Sequence, residues 1–129
     1  MIRKASCCCQ KCSIEVEGEP AMNAICHCNS CKRRTGSAFG WSAYFTDAQV
    51  LRKTGDLKVY AIATPAPAHR SFCMNCGSTL FWTADIMPGY TGVAAGCFTE
   101  IPLPAPTMSA SHDGRCSWLS LPADWLTTP

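Results

Sequence analysis

The hydrophobic pattern of the chain is one of short, alternating segments. Ser13-Ile14-Glu15-Val16-Glu17 alternates apolar and charged side chains, which predicts a strand with one face buried, and Gly18-Glu19-Pro20 ends it. Residues 38–45, rich in aromatic and small side chains, predict a second strand. Thr46-Asp47-Ala48-Gln49 has the composition of a single capped helical turn. Residues 50–54 and 57–62, separated by Gly55-Asp56, predict a hairpin. Residues 68–73 and 79–83 predict strands on either side of the knuckle Cys73-Met74-Asn75-Cys76-Gly77. Residues 90–98 predict a further strand, before the proline-punctuated run Ile101-Pro102-Leu103-Pro104-Ala105-Pro106 and a tail through residues 116–121 to a surface segment ending at Pro129. The loop 63–68, with two prolines and small side chains, has little to bury and is expected to be mobile.

The chain shows no solenoid-length repeat, heptad run or low-complexity block. Its 129 residues suit one domain spanning 1–129. The expected fold class is therefore mainly β. Composition qualifies this picture. The apolar fraction of 47% includes 11 cysteines and many alanines, so large aliphatic side chains are scarce and a core supplemented by metal is expected.

Charge narrows the function. The formal net charge is +2, and binding of seven cysteines as thiolates to two zinc ions would bring it to about −1. A nucleic-acid binder would need a basic stripe interleaved with aromatics, and only Lys32-Arg33-Arg34 forms a basic run. No segment has the apolar length of a membrane span, and Met1 to Cys7 lacks the apolar run of a signal peptide. The expected setting is a reducing cytoplasm, where thiols hold metal or do chemistry. The odd cysteine count and the tight Cys-x-Cys spacing also argue against a disulfide framework.

Three cysteine clusters carry the chemistry: Cys7-Cys8-Cys9-Gln10-Lys11-Cys12, Cys26-His27-Cys28-Asn29-Ser30-Cys31, and Cys73-Met74-Asn75-Cys76-Gly77. A Cys-x2-Cys turn aims two sulfurs at one point and offers backbone N–H groups to them. Gly77 lets the chain leave through a left-handed conformation. Structural zinc is a closed tetrahedron, whereas three thiolates leave a position open. Seven ligand-like cysteines divide as four plus three, but spacing alone does not say which clusters pair.

The segments Cys7-x-Cys9, then Cys26-His27-Cys28-x2-Cys31-Lys32-Arg33-Arg34-Thr35-Gly36-Ser37-Ala38-Phe39, then Arg70-Ser71-Phe72-Cys73-x2-Cys76-Gly77-Ser78-x-Leu80 closely resemble the glutathione-dependent formaldehyde-activating enzyme family. The resemblance extends from about residue 5 to residue 118. It implies the Mss4-like fold, small antiparallel sheets around a structural zinc site. It also implies that Cys7, Cys9, Cys73 and Cys76 hold the structural zinc and that Cys26, Cys28 and Cys31 hold a catalytic, labile one. The implied reaction joins formaldehyde to glutathione as S-hydroxymethylglutathione, so the expected partners are a small thiol and an aldehyde. The sequence departs from the family pattern at Gln10, where a glycine is usual, at Ser109, where a histidine is expected and His112 is displaced, and around Pro88-Gly89-Tyr90. These departures leave the ligands intact and the substrate open.

Three thiolates on Zn²⁺ make a weak Lewis acid suited to a soft ligand such as a substrate thiol. The expected enzyme is of the carbon–sulfur lyase type. Arg33, Arg34 and Arg70, with Lys32, are candidates to bind glutathione carboxylates or to offset the thiolate charge. His27 is a candidate proton shuttle. Cys8, Cys12, Cys97 and Cys116 read as non-ligands, with Cys8 pointing away from the zinc. His69 and His112 read as surface or loop residues, and Trp41, Phe72, Phe81 and Trp82 as core or rim aromatics. The alternative reading is a non-catalytic zinc-binding module that holds a protein partner or carries glutathione.

Overall fold

The structure, a computed structural model, describes residues 1–63 and 66–129. Part of the predicted loop 63–68 therefore lies outside the described residues. The elements in chain order are β1 (Ile2–Ser6), β2 (Ser13–Glu17), β3 (Met22–Cys26), α1 (Asn29–Thr35), β4 (Gly40–Thr46), a 3-10 turn (Asp47–Gln49), β5 (Val50–Thr54), β6 (Leu57–Ile62), β7 (Ala68–Cys73), β8 (Thr79–Ala84), β9 (Tyr90–Ala94), a 3-10 turn (Ala95–Cys97), β10 (Met108–Ala110), a 3-10 turn (His112–Gly114) and β11 (Leu126–Thr127). Among the described residues no helix is long and apolar enough to cross a membrane.

Two sheets result. The smaller has the order β1-β2-β5, and the larger β11-β10-β3-β4-β9-β8-β7-β6. The paired neighbours are antiparallel except at one edge, where β10 runs parallel to both β3 and β11. The alternation of β2 is as its sequence predicts: Ile14 and Val16 are fully buried and Glu17 is exposed. Ile14, Val16 and Ala5 of the small sheet share one core with Phe45, Leu80, Phe81 and Val93 of the large one. Phe98 and Leu103 close that core from the connecting segment, with the Phe45 and Phe98 rings 5.9 Å apart. Each of the larger aliphatic and phenylalanine side chains contributes roughly 1.5–3 kcal/mol on burial.

The hairpin predicted for residues 50–62 does not form. β5 pairs with β2, and β6 pairs with β7, so Gly55-Asp56 is the crossing from one sheet to the other. Gly55 adopts φ +99°, and a Cβ there would fall 2.4 Å from the Lys11 carbonyl oxygen and 2.6 Å from Cys12 Sγ. The glycine is required by that close approach. The strand predicted for 90–98 stops at Ala94, where the 3-10 turn begins. The 3-10 turn at residues 47–49 is capped as predicted, with Gln49 Oε1 accepting from the Thr46 amide at 2.9 Å.

The proline run has no regular secondary structure and is tied to β3. Asn23 Nδ2 donates to the Pro104 carbonyl at 2.9 Å, and its Oδ1 accepts from Trp41 Nε1 at 2.7 Å. That bond fixes Trp41 half-buried on β4, and Phe81 and Trp82 lie in the interior.

Candidate metal centres

Both predicted cysteine groups assemble. Cys7 and Cys9 come from the turn after β1, Cys73 ends β7, and Cys76 lies on the knuckle before β8. Their four sulfurs all lie within 4.8 Å of one another. Cys7 Sγ is 3.6 Å from Cys9 Sγ, and Cys9 Sγ is 3.7 Å from Cys73 Sγ. Thiolates at about 2.3 Å from a tetrahedral zinc are separated by about 3.8 Å, so the set fits that ion.

The surroundings favour thiolates at Cys73 and Cys76, whereas burial pushes the Cys7 thiol up. The amide of Cys12 donates to Cys7 Sγ at 3.3 Å, and those of Asn75 and Cys76 donate to Cys73 Sγ at 3.3 and 3.5 Å. The Cys73 pKa is lowered chiefly by the Cys76 amide. The Ser78 hydroxyl, 3.3 Å from Cys76 Sγ, lowers the Cys76 pKa to about 5. Gly77 leaves the knuckle at φ +78°, the left-handed exit its sequence position predicts. Gln10 adopts φ +65°, so the non-glycine residue keeps the left-handed backbone of this turn. Cys8 is exposed between two ligands, its amide bonded to Ser78 Oγ at 3.2 Å. Cys12 is fully buried, and its thiol donates to the Asp56 carbonyl at 3.4 Å.

The second group joins the end of β3 to the start of α1. Cys26 is the last residue of β3, Cys28 caps α1, and Cys31 lies in its first turn, with the three sulfurs within 4.8 Å of one another. Cys28 Sγ accepts from the Cys31 amide at 3.4 Å, so one thiol both caps the helix and faces the site. All three cysteines are half-buried. The Cys31 thiol donates toward Cys26 and lowers its pKa to about 5, while the same interaction pushes Cys31 up. Three such donors suit a soft divalent cation such as zinc, with a ligand position left over.

The basic residues around this group have different surroundings. Lys32 Nζ donates to the Gly114 carbonyl at 2.6 Å and ties α1 to the tail. Arg33 is exposed. Arg34 turns inward, its guanidinium 4.5 Å from the Trp82 ring centroid. Arg70 of β7 reaches across to donate to Ser30 Oγ at 2.8 Å. His27, 1% exposed, points away from bulk water, and burial lowers its pKa. Its Nε2 lies 2.9 Å from Ser109 Oγ, which lies 2.8 Å from His112 Nδ1. His112 is thus a half-buried partner of this group rather than a free surface residue.

Sequence reasoning passed over Gly40, Tyr44, Ser78 and Gly114. Ser78 was visible as the hydroxyl two residues beyond a ligand. The other three come close only through strand register and the return of the tail, for which the sequence has no local sign. A cavity of about 610 Å³ opens beside His112, Arg115, Leu119 and Thr127, and none of the three cysteines lines it.

The family model described as "Glutathione-dependent formaldehyde-activating enzyme" matches residues 2–113. A protein of Rhodobacter sphaeroides with a solved crystal structure is similar in sequence and fold: 26% identity, a TM-score of 0.61, and coverage of 76% of this chain and 89% of that one. No curated protein matches the chain. The family model spans both cysteine groups, and the chain belongs to the glutathione-dependent formaldehyde-activating enzyme family.

Proposed function

We propose that this protein is a zinc-dependent carbon–sulfur lyase-type enzyme that interconverts formaldehyde plus glutathione and S-hydroxymethylglutathione. The observation that carries the reading is the division of seven cysteines into a group of four, sufficient to close a tetrahedron, and a group of three, which is one ligand short. In this reading Cys7, Cys9, Cys73 and Cys76 are structural, and Cys26, Cys28 and Cys31 form the reaction centre. A zinc ion bound by those three would supply an open position at which a thiol is favoured as its thiolate.

The protein's own residues do the rest by position. Arg33 and Arg70 are cations at the rim of the centre, suited to the carboxylates of glutathione. Holding thiol and aldehyde together replaces an encounter in solution with a local addition. The sulfur forms a bond to the carbonyl carbon, the carbon–oxygen π bond opens, and the oxygen takes up the proton that the thiol lost. The reverse passes through the same arrangement and cleaves the carbon–sulfur bond.

The test is exchange spectroscopy by NMR on formaldehyde, glutathione and their adduct, using zinc-loaded protein and a Cys28→Ser control. Exchange well above the spontaneous rate, abolished in the control, is the expected result. An unchanged rate at near-stoichiometric protein overturns this substrate pair.

A further inference from the structure

We propose that Arg34 is the fixed counter-charge of the three-cysteine centre, a positioning residue that lets the centre accept an anionic sulfur ligand without itself gripping the substrate. The inference rests on the open-centre reading given above.

The placement begins with the helix. Arg34 follows Cys31 by three residues on α1, so the two side chains share a face. The guanidinium lies over the Trp82 ring at 4.5 Å, a cation–π contact that fixes its plane. Trp82 is itself held. Its indole N–H donates to the Tyr44 hydroxyl at 3.2 Å, and it packs on Gly92, its partner across β8 and β9, where a Cβ would fall 2.2 Å from Nε1. On the other side, a Cβ at Gly40 would fall 2.5 Å from Arg34 Nη2 and 3.2 Å from Cys31 Cβ. Gly40 is also the residue opposite Cys26 in the β3–β4 register. The missing side chain at Gly40 is the slot that admits the guanidinium between Trp82 and the cysteines.

Within that slot Nη2 is buried and has no hydrogen-bond partner among the described residues. A buried guanidinium N–H without an oxygen acceptor is costly unless an anion faces it. The neighbouring anions are the cysteine sulfurs: burial lowers the Arg34 pKa, and the charge on Cys31 opposes that shift. The other basic residues of the run are otherwise engaged, Lys32 with Gly114 and Arg33 with solvent.

Charge counting gives the consequence. Three thiolates with a divalent cation carry a net charge of about −1. An incoming thiolate makes this about −2, which a half-buried site disfavours. Arg34 cancels one of these charges before the ligand arrives. Its effect should therefore follow the charge of the ligand at the centre and ignore any carboxylates elsewhere on it.

The experiment uses cobalt-loaded protein and reads ligand binding from the cobalt absorption bands. Two probes are titrated: 2-mercaptoethanol, which binds as an anionic thiolate and has no carboxylate, and imidazole, which binds neutral. Arg34→Gln removes the charge. Gly40→Ala keeps the charge but fills the slot, and Arg34→Lys restores a cation. The expected result is a 2-mercaptoethanol dissociation constant raised about tenfold or more by R34Q and G40A and partly recovered in R34K, with imidazole binding changed by less than about twofold. Equal losses for both probes, or unchanged 2-mercaptoethanol binding, overturns the proposal. With glutathione titrated as a third, carboxylate-bearing ligand, a loss confined to it would make Arg34 a carboxylate clamp and also overturns the proposal. Wild-type cobalt protein that binds neither probe would instead refute the open centre on which the inference rests.

Discussion

His27 Nε2 and the Ser109 hydroxyl are 2.9 Å apart in a fully buried setting. Ser109 also meets His112 Nδ1 at 2.8 Å, so one hydroxyl serves two imidazoles. A serine hydroxyl has one hydrogen, so it donates to one ring and accepts from the other. His27 Nδ1 is buried with no partner among the described residues. An orphaned N–H is rarer in protein interiors than an orphaned acceptor. The consistent assignment has His27 Nε2–H donating to Ser109, and Ser109 donating to His112 Nδ1.

Ser109→Ala removes both bonds and leaves a buried imidazole N–H unsatisfied. The expected cost is about 1–3 kcal/mol of stability, read from urea unfolding of the zinc-loaded protein. An unchanged midpoint would show that the serine contributes nothing beyond packing.

The two candidate metal centres should differ sharply in structural weight. Cys7 and Cys9 belong to the small sheet's turn, whereas Cys73 and Cys76 belong to the large sheet's knuckle, so a metal bound there would join the two layers. Cys26, Cys28 and Cys31 all lie between β3 and α1. Cys73→Ser is expected to lower Tm far more than Cys28→Ser, or to leave the chain unfolded. Thermal melts of the two variants side by side decide this, and equal losses contradict it.

Gln10 holds a left-handed backbone at φ +65° with a side chain that disfavours it. Gln10→Gly should stabilise the protein by about 0.5–1 kcal/mol, because the relieved strain outweighs glycine's extra entropy in the unfolded chain. A chemical-denaturation series on the zinc-loaded pair measures the change, and destabilisation is the contrary outcome.

The non-ligand thiols should differ in reactivity. Cys8 is exposed, Cys12 is fully buried, and the Cys97 pKa is raised above its ordinary value by burial. A raised pKa means less thiolate at a given pH in the folded than in the unfolded chain. The associated stability is present below the ordinary value of about 9 and is lost as pH rises past it. Brief iodoacetamide treatment of the zinc-loaded protein near pH 8, followed by peptide mass mapping, is expected to label Cys8 first and to spare Cys12 and Cys97. Early labelling of Cys97 would contradict its protected position.

Much of this arrangement was legible because its signals are local. Close spacing marked the three cysteine clusters, the family resemblance supplied the division of seven of their cysteines into four and three, and period-two alternation marked β2. The misses have physical causes. Helix α1 buries none of its seven residues and is capped by a cysteine, so it shows neither an apolar stripe nor a serine or aspartate cap. Strand β3 runs straight into the second cysteine cluster and buries the adjacent Ala24 and Ile25, so it shows no period-two alternation. The two edge strands β10 and β11 have three and two residues, too few for a period. Gly55 looked like a turn because sequence does not reveal that Cys12 lies against it. Arg34 looked like its neighbours in a basic run, and only strand register brings Gly40 and Trp82 to its sides.

The contact between Cys9 and Cys73 spans 64 positions of chain. Closing a loop of that length costs entropy that local turns do not, and β3, β4, β6 and β7 of the large sheet lie inside it. A metal ion that completed the four-cysteine centre would therefore act late, on layers that have already found their own strand pairings. The rate at which a newly made chain becomes resistant to proteases should then follow free zinc concentration, and the hydrophobic pattern that shapes the sheets would set only how soon the chain is ready to receive it.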